Sequence, residues 1–124
     1  MDETAWDTVE RLAGWLDRNS ELPEQTRTIL QILKITEEAG EVAEAVIGAT
    51  GQNPRKGYSH TWDDVQEELC DVIVTAMVAL TRINPDARKL FAGKLERIAL
   101  RSLGDGPIPG PDPGQGANPD ADAE

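Results

Sequence analysis

Apolar and polar residues recur along this chain with a helical period, in four runs separated by breakers. Trp6, Val9, Leu12, Ala13 and Leu16 predict a first helix that ends near Asn19, ahead of Pro23. Thr4, with Asp7 three positions on, is its expected N-cap. Trp15 lies off the centre of that stripe. It is expected to pack against a neighbouring helix rather than to wall a base pocket.

A second helix is expected from about Glu24 to about Ala49. Its apolar positions (Ile29, Leu30, Ile32, Leu33, Ile35, Ala39, Val42, Ala43, Val46, Ile47) form more than one stripe, which predicts burial on two sides. Gly40 sits inside it at a cost of about 1 kcal/mol relative to Ala. Residues 50–60 read as a loop, broken by Gly51, Pro54 and Gly57 and carrying Arg55, Lys56, Tyr58 and His60. A loop of that kind can close over phosphates or serve as a solvated connector. His60 has no His or Cys at ligand spacing and is a poor metal-ligand candidate.

Thr61, followed by Asp63 and Asp64, is a strong start signal for a third helix running to about Ile83. After Asp71 this helix is apolar almost all round, from Val72 to Leu80. Such a segment needs cover on every side, which a chain this small barely supplies, so a homo-oligomer is expected. Asn84-Pro85 is the expected start of a fourth helix to about Leu103, with Leu90, Phe91, Leu95, Ile98 and Ala99 facing inward. Lys94, Arg97 and Arg101 form a basic row on it, either a solvated face or a phosphate clamp. The fold class is therefore all-α, with one domain over residues 1–103.

The 124 residues carry a net charge of −11, and five acids in residues 104–124 leave −6 on the body. An acidic body argues against a nucleic-acid partner, which needs a basic face. Aromatics are too few for a typical β-sandwich or barrel. The single Cys70 excludes an intrachain disulfide and fits a reducing compartment. With no signal core and no apolar run of bilayer length, a soluble cytoplasmic protein without membrane partners is expected. Residues 104–124, rich in Pro and Gly, are expected to be disordered.

Two acid pairs stand out: Glu38 with Glu41 in KITEEAGEVAEA, and Glu68 with Asp71 in EELCDVIVTAMVAL. Residues at i and i+3 share a helix face. Each pair lies among apolar and small side chains, where carboxylates are costly unless paired or bound to metal. Four converging carboxylates without His or Cys suit Mg²⁺, with Mn²⁺ as the alternative, rather than Zn²⁺. The outer acids Glu37, Glu44 and Glu67 read as a surface salt-bridge lattice. A non-catalytic regulatory oligomer and a purely structural dimerisation bundle are the competing classes.

The order of these pairs and the apolar run after Asp71 resemble the MazG-like family of all-α nucleoside triphosphate pyrophosphohydrolases, over roughly residues 24–103. The resemblance implies a helical bundle assembled as a homodimer or homotetramer. It implies Mg²⁺ held by Glu38, Glu41, Glu68 and Asp71, with Glu38 and Glu41 catalytic. It implies hydrolysis of a nucleoside triphosphate to monophosphate and pyrophosphate. Lys34, Arg97 and Arg101 would contact phosphate, with Glu37 assisting the first pair at the substrate.

Overall fold

The computed structural model describes residues 3–104; the tail from Asp105 lies outside the described residues. Among the described residues there are four helices and no strand: α1 (Glu3–Arg18), α2 (Glu24–Thr50), α3 (Trp62–Ile83) and α4 (Ala87–Leu103). The chain divides into two compact units, one ending at Lys89 and one beginning at Leu90, so the boundary falls within α4.

Local chemistry sets most helix ends. Pro23 precedes α2 with φ −56°, a value its ring imposes. Gly51 closes α2 in the left-handed region at φ 64°, its N–H donating to the Ile47 carbonyl. That conformation is cheap only for Gly. Thr61 caps α3 in a reciprocal box: its hydroxyl accepts from the Asp64 N–H at 3.2 Å, and the Asp64 carboxylate accepts from the Thr61 N–H at 2.8 Å.

Two expected starts shift. Thr4 lies inside α1 and accepts, through its carbonyl, a bond from the Thr8 hydroxyl, so it is not the cap. Pro85 is in the turn before α4 rather than at its first helical position. There the Asn84 side chain accepts from the Asp86 N–H at 2.8 Å, and this side-chain turn displaces the first helical residues.

Both α1 and α2 pack on α3. Trp6, Val9 and Ala13 of α1 are buried, as are Val65, Met77, Val78 and Ala79 of α3 and Ala45 of α2. Val78 is 2% exposed; burying a side chain of this size stabilises by roughly 1.5–3 kcal/mol. Ala87 is buried too, and Arg88 after it pairs with Asp7 and Glu10 of α1.

The expectation of two buried sides on α2 is not met within one chain. Its buried residues are Gln31, Ala45 and Gly48, while Ile29, Leu30, Ile32, Leu33 and Ile47 are exposed. The same holds on α3 for Leu69, Ile73 and Val74. Leu90, Leu95 and Ile98 of α4, expected to face inward, are also exposed. The physical reason is shortage of cover: a single chain offers each helix too few neighbours for more than one apolar face.

Candidate metal centre

Helices α2 and α3 run antiparallel, and four pairs of residues mark their register. Arg82 donates to the Arg27 carbonyl at 3.3 Å, and Gln31 donates to the Thr75 carbonyl at 3.2 Å. Further along, Glu38 meets Glu68, and Gly48 meets His60 just before α3. On α2, Arg27, Gln31, Lys34, Glu38, Glu41 and Ala45 fall within one stripe at 100° per residue. That stripe faces α3, so the register fixes where the acids meet.

Glu38, Glu68 and Asp71 each offer a carboxylate oxygen, and these oxygens lie within 4.8 Å of one another. Glu38 and Glu68 are half-buried and Asp71 is exposed. The Glu68 carboxyl is raised above its ordinary value. Loss of water around it is the largest cause, followed by the charges of Asp71, Glu41 and Glu38 and a hydrogen bond with Asp71. Glu41 is exposed and stands outside the group of three, close enough that Glu68 feels its charge.

Lys34 is the one cation in ion-pair contact with this group among the described residues. Its Nζ lies 3.2 Å from Glu38 Oε1, one turn away. The Lys34 ammonium is raised above its ordinary value, chiefly by that hydrogen bond, with the charges of Glu37, Glu38 and Asp71 adding to it against partial desolvation. One ammonium facing three carboxylates leaves the group strongly negative. Three carboxylate oxygens this close together could hold a metal ion, and all-oxygen donor sets favour hard divalent cations.

Glu37 is exposed and reaches the centre only through its charge on Lys34. Arg97 and Arg101 are exposed on α4, within the unit that begins at Leu90. In the loop, Ser59 Oγ and His60 Nδ1 are 2.9 Å apart, and the His60 side chain sits directly over Gly48. A Cβ on Gly48 would lie 2.2 Å from His60 Nδ1 and 2.9 Å from His60 Cβ, so only glycine admits the loop here. Ser59 and His60 are thereby seated on α2.

Several residues escaped sequence reasoning. Asp17 of α1 lies 3.3 Å from both Arg27 of α2 and Arg82 of α3, tying three helices together. Gln31 completes the network by accepting from Arg82 at 3.4 Å. A polar Gln inside an apolar run, two turns before Glu38, was the available signal. Trp15 is not packed away, contrary to expectation; it is 53% exposed and lines a cavity with Arg27, Lys34 and Arg82.

No described helix is long and apolar enough to cross a membrane. No family model matches the chain, and no curated protein or solved structure matches it.

Proposed function

We propose that this chain is a Mg²⁺-dependent nucleoside triphosphate pyrophosphohydrolase of the MazG-like kind, acting in the cytoplasm as a homodimer or homotetramer, with Mn²⁺ able to replace Mg²⁺. The observation that carries the reading is the meeting of Glu38, Glu68 and Asp71 from two helices within 4.8 Å. Glu38, Glu68 and Asp71 would hold the ion, with Glu41 the fourth carboxylate beside them. The bound ion would neutralise charge on phosphate oxygens as it develops.

The chain's own groups supply the remaining steps. Lys34, kept protonated by its acidic neighbours, meets a phosphate oxygen. Arg97 and Arg101 belong to the reading as further phosphate contacts, and Glu37 as support for Lys34. Glu41, exposed and outside the group of three, accepts a proton from the attacking water. A bond forms from that water oxygen to phosphorus, and the bond to the pyrophosphate oxygen breaks. The exposed apolar residues of α2 and α3 (Ile29, Leu30, Ile32, Leu33, Ile73 and Val74) support assembly, since a second copy would cover them.

The test is pyrophosphate release from a panel of ordinary and modified nucleoside triphosphates with Mg²⁺. Turnover of at least one is expected, and Glu41→Gln should lower it by about a hundredfold or more with helical content unchanged. Binding without turnover across the whole panel would leave a regulatory oligomer in place of an enzyme.

A further inference from the structure

Beside the carboxylate group, α1, α2 and α3 enclose a cavity of about 410 Å³. Its α2 wall is the same stripe that carries the acids: Arg27, Leu30, Gln31 and Lys34 line it. Lys34 also touches Glu38 at 3.2 Å, so the cavity opens beside the metal centre. Trp15, a residue more than half exposed, lines it as well.

The charge on these walls is one-sided. Arg27, Lys34 and Arg82 line the cavity and no acid does. Asp17 answers two guanidinium groups with one charge, at 3.3 Å from each. The Arg82 side chain is only 8% exposed, and its Nε–H has no hydrogen-bond partner. Arg27 Nε lies 3.3 Å from Asp17 Oδ1 yet out of line for a hydrogen bond. Three cationic side chains and an aromatic ring, with no acid among the lining residues, suit a flat ligand rich in acceptors.

We infer that this cavity takes the base of the nucleotide and favours bases with an oxo group at purine C6 or pyrimidine C4 (guanine, uracil, thymine) over those with an amino group at that position (adenine, cytosine). The inference rests on the proposed pyrophosphohydrolase reading for the placement of the phosphates. The base stacks on Trp15. Its oxo group accepts from a guanidinium, the pairing that Arg makes with guanine O6 and N7. An amino group in that position sets donor against donor.

The experiment is calorimetric titration of the full chain with GMP, UMP, dTMP, AMP and CMP in EDTA, so that the metal centre plays no part. The three oxo bases should bind about tenfold or more tighter than the other two. Trp15→Ala should weaken them by about tenfold or more, and Trp15→Phe should restore most of the loss. Equal binding of all five, no binding of any, or an unchanged affinity in Trp15→Ala would overturn the inference. Hydrolysis of a triphosphate alongside one of those results would sink the cavity assignment alone. Selective binding with no hydrolysis would sink the enzymatic reading and leave the cavity standing.

Discussion

Adding Mg²⁺ should raise the melting temperature, and the size of the rise follows from how the site is built. Glu38 and Glu68 are thirty residues apart in the chain and are brought together only by the packing of α2 on α3. The unfolded chain therefore has no comparable site, and binding adds stability to the folded state alone. At a hundredfold excess over Kd that is about 2.7 kcal/mol. For a cooperative unit of 60–100 residues, this corresponds to a rise of roughly 10–20 °C. Differential scanning fluorimetry at neutral pH measures it.

The raised Glu68 carboxyl gives the effect a pH signature. Folding holds this proton more tightly than the unfolded chain does. Without metal, stability therefore falls as pH rises from the unfolded value through the raised one. The metal-free protein should melt higher at mildly acidic than at neutral pH from this group's contribution. With Mg²⁺ the dependence reverses, because proton and cation compete for the same oxygens. Glu68→Gln should raise the metal-free melting temperature at neutral pH and remove the response to Mg²⁺. An undiminished Mg²⁺ shift in Glu68→Gln, or none in the native chain at millimolar Mg²⁺ or Mn²⁺, would refute the reasoning.

Two further outcomes are expected. Thr61→Ala removes half of a reciprocal capping box and should cost about 1 kcal/mol in urea unfolding. Light scattering after size exclusion should give a dimer or tetramer, and Leu33→Glu, placed where one chain leaves Leu33 59% exposed, should shift it toward monomer; a monomeric native chain would end the assembly reading.

Helix identity was legible because the apolar period and the breakers act locally. Thr61 with Asp64, Pro23 and Gly51 each announce an end through chemistry contained in a few residues. Thr4 and Pro85 misled for the same reason: their local preference was real, and neighbouring bonds outweighed it. Of the acids, Glu38, Glu68 and Asp71 were findable because their stripes face each other once α2 and α3 pair. The Asp17–Arg27–Arg82 network was not, since its three members come from three helices and share no spacing. Trp15 lies exposed because its cover is set by tertiary neighbours, which no local pattern reports.

The stripe on α2 also works as a ruler. Arg27 and Glu38 are eleven residues apart on one unbroken helix, so about 16 Å of stiff axial spacing separates the far end of the cavity from the first carboxylate. Inserting one residue between them would swing the two ends apart by about 100° and break both at once. Inserting four would nearly restore the angle while stretching the gap by about 6 Å. A chain so altered would keep both halves and fit a longer molecule between them.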